Sequence, residues 1–202
     1  SFCMCPGGMV VAAASEAGRL VTNGMSNYRR NSGVANSALL VQVSPADWGG
    51  SVLGGIAFQR AMEERAFRAG GGDYRAPVQS VGDFLTGKTG ARDFAVMPTY
   101  APGVRTADLR MVLPEMCTEP LARALRFWEE RVPGFGAADV PMTGVESRSS
   151  APCRIVRDGA TMESVSAAGL YPIGEGAGYA GGIMSAALDG LKAALAFLDK
   201  IQ

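Results

Sequence analysis

One stretch constrains this chain more than any other: Gly169-Leu-Tyr-Pro-Ile-Gly-Glu-Gly-Ala-Gly-Tyr-Ala-Gly-Gly182. Residues 170–173 read as a short buried strand, and glycines 174, 176, 178, 181 and 182 make the loop after it. From Ile183 onward, Met184, Ala187, Leu188, Leu191, Ala194, Leu195 and Leu198 fall at helical spacing, with Lys192 and Lys200 on other faces. Such a loop removes the side chains that would block a phosphate or a conjugated ring. The helix start then offers free N–H groups and a partial positive charge.

Within it, Gly176-Ala-Gly178-Tyr-Ala-Gly181 satisfies G-x-G-x-x-G. The dinucleotide fingerprint also needs a second strand after the helix, ending in an acidic residue that holds a ribose. Here Gln202 is reached as the helix ends. The expectation is therefore half a site, or a different use of the same physics. The competing reading is a glycine turn that only lets a helix pack closely. A second formal match, Gly82-Asp-Phe-Leu-Thr-Gly-Lys-Thr89, has the letters of a P-loop. Asp83 would place negative charge where phosphate sits, Phe84 and Leu85 are bulky, and residues 78–81 read as too polar for a buried strand. A short helix and loop is expected there, so nucleotide hydrolysis through Lys88 is disfavoured.

No histidine occurs among the 202 residues, which removes Ser-His and Cys-His catalysis and histidine-ligated metals from this chain. Nineteen basic and nineteen acidic residues balance, so nothing in the charge points to nucleic acid or an anionic membrane. No apolar run approaches a membrane span and the first residues lack a signal peptide's basic region; the cytoplasm is the expected place. Of Cys3, Cys5, Cys117 and Cys153, the first two form C-x-C, too close for unstrained disulfide geometry, and none lie at zinc spacing. No metal is expected. Cys3 and Cys5 read as structural strand residues or, alternatively, as redox-active thiols.

Taken in order, residues 9–14 and 19–22 predict a hairpin and residues 23–27 a turn. The polar loop with Arg29 and Arg30 is either an anion-binding or a solvated segment. Residues 38–43 read as a strong strand. Ser51 looks like the cap of a helix to about residue 69, closed by three glycines at 70–72. Thr106 looks like the cap of a helix over 107–113, and Thr118 of one striped by Leu121, Ala124, Leu125, Trp128 and Val132. Strand character returns at 140–145 and 153–157.

The runs Ser1-Phe-Cys-Met-Cys-Pro-Gly-Gly8, Val21-Thr-Asn-Gly-Met-Ser26, Ala35-Asn-Ser-Ala38, Val145-Glu-Ser-Arg-Ser-Ser150 and Gly174–Gly182 together resemble the uncharacterized FAD-dependent dehydrogenases. The last also resembles the flavin-contacting segment of the glutathione-reductase-like superfamily. The resemblance implies a C-terminal fragment, without the N-terminal GxGxxG motif, of a two-domain α/β flavoprotein. As a fragment it would be an α+β fold, with a mixed or antiparallel sheet, a helical subdomain at about 51–133, and a closing strand–glycine loop–helix. Residues 1–138 would form the substrate-side domain and 139–202 the closing portion of the FAD domain.

By the same resemblance Gly174, Glu175, Gly176, Gly178, Gly181, Gly182 and Ile183 would contact FAD. Glu175 would hold the ribityl hydroxyls, where superfamily members more often carry Asp. Arg148 is a candidate for charge near the flavin or an anionic substrate, and an ion pair with Glu146 or Glu175 is the structural alternative. Arg29, Arg30 and Arg148 are the substrate-side candidates, and Arg148, Cys3 and Cys5 the catalytic ones. The expected activity is oxidoreduction by the parent protein, the isolated chain being inactive and weak in FAD binding. Its partners would be the missing N-terminal part of its own chain and a small-molecule substrate or a reductant such as NAD(P)H. The alternative is a non-catalytic interaction module that keeps a flavoprotein-like fold.

Overall fold

The computed structural model describes residues 3–90 and 93–201. Ser1 and Phe2 of the first matched run, the two residues after Gly90, and Gln202 lie outside the described residues. The chain is an α+β fold that divides into two compact units, Ser1–Val43 with Arg60–Ser147, and Ser44–Gln59 with Arg148–Gln202.

The first unit holds every named strand. Strand β1 (Met4–Cys5) pairs antiparallel with β4 (Asn36–Ser37), and β2 (Gly8–Ala12) pairs antiparallel with β3 (Thr22–Ser26). The hairpin forms as expected from the pattern, but its return strand is the Asn-Gly-Met-Ser segment that reads as a turn. Close approach explains the glycines: a Cβ at Gly24 would lie 2.2 Å from Asn36 Oδ1, and one at Gly8 2.4 Å from the Met25 carbonyl oxygen. Residues 38–43 form no strand, although their composition favours one. Ala38 N–H donates to the Cys3 carbonyl at 3.1 Å, and no ladder continues beyond it among the described residues.

The second sheet is mixed, in the order β6 (Val104–Thr106), β5 (Ala76–Ser80), β7 (Pro141–Thr143). β5 runs parallel to β6 and antiparallel to β7, and all five of its residues are buried. This corrects the reading of residues 78–81 as too polar. Gln79 is fully buried because its amide is satisfied, donating to the Lys88 carbonyl at 2.6 Å and accepting from Leu109 N–H at 3.0 Å.

Four helices complete the path to residue 131: α1 (Gly54–Gly70), α2 (Val81–Thr86), α3 (Leu109–Val112) and α4 (Glu115–Arg131). The division between units falls within α1. The cap of α3 is Asp108, not Thr106, which ends β6; the Asp108 carboxylate accepts from Arg110 N–H at 2.9 Å. α4 begins a turn before Thr118, so Pro120 lies inside it. α2 and α3 pack on β5, and α2 also meets α4. The core includes Val78, Val81, Phe84, Leu109, Val112, Leu121 and Leu125.

The second unit contains a 3-10 turn (Pro45–Trp48), the start of α1, an irregular segment from Arg148, and helix α5 (Ile183–Ile201). Its β pairing among the described residues is a single bridge, Arg157 with Ser164. The strands expected at 153–157 and 170–173 do not form. Leu170 and Ile173 are 49% and 42% exposed, so the closing motif here is glycine loop and helix only.

Candidate functional site

The glycine loop is held by chain geometry at two of its glycines. Gly174 and Gly178 adopt φ of 71° and 84°, where a side chain is strained. A Cβ on Gly178 would also lie 2.7 Å from the Cys153 carbonyl oxygen. Ile155 N–H donates to Ala177 O at 3.2 Å, and Arg154 Nε to Gly178 O at 2.9 Å, which ties the loop to the segment before Asp158.

Beneath the loop sits a clasp that sequence reasoning missed. Arg157 donates to both Asp189 oxygens at 2.9 and 2.6 Å and to the Pro172 carbonyl at 2.7 Å. Its guanidinium lies 3.6 Å from the Tyr179 ring centroid, and the Tyr179 hydroxyl accepts from Arg157 N–H and donates to the Ile155 carbonyl. The same Asp189 carboxylate accepts from Gly174 N–H at 2.9 Å, joining helix, loop and preceding segment at one point. Both ion-pair side chains are about nine-tenths buried. The Arg157 guanidinium, with help from the Gly174 N–H, lowers the Asp189 carboxyl to about 2, and the same bond raises Arg157. The available signal was Asp189 itself, an acid inside an otherwise apolar helical run.

The remaining glycines have no such structural reason. A Cβ at Gly176 or Gly181 would meet nothing within 4 Å, and one at Gly182 only Ser185 Oγ at 3.8 Å. Gly182 accepts the first helical bond, from Ala186 N–H, and its own N–H is taken by Ser185 Oγ. Ile183 and Met184 are 91% and 71% exposed. The first-turn amides of α5 thus lie at a bare, open backbone surface. Glu175 is exposed beside it. An acceptor-rich ring edge or a phosphate finds room here, so these residues fit a flavin nucleotide.

The other candidates fall in both units. Arg148 is half-buried in the second unit. Arg29 and Arg30 are exposed on a loop of the first, where Arg30 adopts φ of 51°. A Cβ on Gly7 would lie 1.9 Å from the Arg30 backbone carbon, so glycine there is what lets this loop cross. Cys3 is exposed and Cys5 is half-buried. Glu63 is fully buried and accepts from Ser147 Oγ at 2.7 Å. Burial raises the carboxyl of neighbouring Glu146. The formal P-loop is helix α2 itself, stopped by Gly87 at φ 68°, with no phosphate cradle. Among the described residues no group of three His, Cys, Asp or Glu side chains is placed to hold a metal ion. No described helix is long and apolar enough to cross a membrane.

The loop and the helix start together leave bare backbone open at Gly176 and Gly181. Comparison with known proteins bears on the rest of the chain. Residues 1–149 match the family described as "FAD-dependent protein, C-terminal domain-like", and the chain belongs to that family. The match ends close to the boundary after Ser147, before the glycine loop. An uncharacterized protein of Clostridium beijerinckii is 50% identical over 201 residues, 99% of this chain. The chain spans 38% of that relative's length.

Proposed function

We propose that this chain is the C-terminal portion of an FAD-dependent oxidoreductase of the dehydrogenase type. The observation that carries the reading is the division among the loop glycines. Gly174 and Gly178 are required by the chain's own geometry, whereas Gly176, Gly181 and Gly182 leave open backbone at a helix start. Membership of a family described as FAD-dependent supports FAD as the cofactor.

In this reading Gly174, Gly176, Gly178, Gly181, Gly182 and Ile183 line the flavin with backbone free of blocking side chains, and Glu175 accepts from ribityl hydroxyls. FAD supplies the hydride and electron transfer when bound. The α5 N-terminus contributes a partial positive charge worth about 1 kcal/mol toward an anionic ring edge. Arg157, Tyr179 and Asp189 keep the loop in place without touching the cofactor. Arg148, Arg29 and Arg30 are assigned to anionic groups of substrate or cofactor, and Cys3 and Cys5 to thiol chemistry. The first unit serves as the substrate side, and the ADP half of the cofactor is gripped by polypeptide outside this chain. A small-molecule substrate and a reductant such as NAD(P)H complete the reaction.

The test is the visible absorption spectrum of the full-length clostridial relative beside that of this chain. A yellow relative and a colourless chain support the split site. Two colourless proteins, even after added FAD, remove the oxidoreductase reading and leave a non-catalytic interaction module.

A further inference from the structure

Helix α5 is amphipathic in the wrong direction for a helix whose partner is already in place. Its inward face is small and polar apart from one aromatic ring, Phe197. Asp189 bonds to Arg157 and Gly174, Lys200 pairs with Glu163 at 2.6 Å, Phe197 stacks edge-on with Tyr171, and Ala193 is buried. Its large apolar residues face the other way. Met184, Leu188, Leu191, Leu195 and Leu198 are 71, 53, 56, 53 and 48% exposed. Their spacing of four, three, four and three residues sets them in one stripe. No charged residue interrupts it. An unbroken apolar stripe of this length marks an interaction surface and not a solvated face.

We propose that the outward face of α5 docks the further polypeptide that longer members of this family carry. The identity of the occupant rests on the proposed reading of the chain as part of a longer flavoprotein; the exposed stripe does not. Three occupants compete. A membrane-surface helix carries an excess of Lys and Arg on its polar face, whereas α5 has Lys192 and Lys200 against Asp189 and Asp199. A second copy of the chain is limited by size. The stripe runs for roughly 20 Å of helix at about 1.5 Å per residue. One helix pair of that length falls short of the ~1,200 Å² that stable interfaces bury. Polypeptide on the same chain faces no such threshold, because tethering makes the encounter intramolecular. The clostridial relative aligns with this chain through α5, and the greater part of its length lies outside the match.

The experiment compares maleimide labelling of Leu191→Cys in this chain with labelling at the aligned position of the full-length relative, located by mass spectrometry. Met111→Cys, at an exposed site in the first unit, is the control. The expected result is labelling at the α5 position at least 100-fold slower in the full-length protein, independent of protein concentration, with the control unchanged. Equal rates in the two proteins overturn the proposal. So does protection that appears in this chain alone, or that weakens on dilution of the relative, because either makes a second copy the occupant. Hydrogen exchange across α5 gives the same comparison without a substitution. The colour of the relative is read separately. Protection in a colourless protein keeps the docking surface and removes the flavin, and a yellow protein without protection does the reverse.

Discussion

The two units differ in what they do with their apolar residues. The first buries Phe84, Leu20, Leu125, Val78, Val81 and Val112 almost completely, around a strand with all five residues inside. The second, among its described residues, buries Met162, Ala177 and Ala193 as its hydrophobic core, and leaves Ile155, Val156, Val165, Leu170 and the α5 stripe exposed. Its fixed geometry comes from polar contacts, with Arg157, Asp189 and Tyr179 at their centre. Burial is the main favourable term in folding, so the first unit carries the stability of this chain. The second presents a glycine loop and a helix whose apolar stripe stays exposed among the described residues.

That contrast can be broken most forcefully in the core. Phe84→Ala, at a site with no exposure, costs about 3–5 kcal/mol in denaturant unfolding, while Leu188→Ala on the outer face of α5 changes it by less than about 0.5 kcal/mol. Similar costs at both sites would erase the distinction between the units.

The clasp sharpens the comparison within the second unit. Asp189→Asn strands Arg157, which is 8% exposed, and costs about 2–3 kcal/mol of local stability, read as lost amide protection from Gly174 to Tyr179. The pH dependence has a definite sign. A carboxyl lowered from 3.8 to about 2 contributes fully above the higher value, and that contribution is lost as the pH falls through the lower. The native loop loosens between about pH 4 and 2, and the Asn variant shows no such step.

Smaller effects separate the glycines. Gly178→Ala, forced to positive φ and onto the Cys153 carbonyl, costs about 1–3 kcal/mol. Gly176→Ala, with open space around it, costs less than about 0.5 kcal/mol by thermal denaturation. Equal costs at both would remove the argument that Gly176 answers to a ligand.

Local patterns were legible where chemistry and structure share a period. The α5 helix, the α1 stop at three glycines and the outgoing strand of the first hairpin follow from spacing and glycine placement, whereas its return strand does not. What spacing cannot carry is direction: the Leu188–Leu191–Leu195 stripe reads the same whether it faces in or out. Long-range satisfaction is equally invisible. Gln79 and Ser80 disguise the most buried strand, because the partners that make Gln79 tolerable are Lys88 and Leu109. Residues 38–43 show the converse, strand-like in composition without a ladder to join. At the site, the glycines and the helix start could be read directly, whereas the Arg157–Asp189 pair joins residues 32 apart and needed coordinates.

The most direct test of the contrast is residue-resolved hydrogen exchange on the chain as it stands. β5 and α4 in the first unit should hold their amides through many hours, at the free energy of global unfolding. The amides of α5 should exchange by local opening, orders of magnitude faster. Protection of α5 equal to that of β5 would contradict the contrast between a unit with a buried core and one whose helix leaves its apolar face exposed.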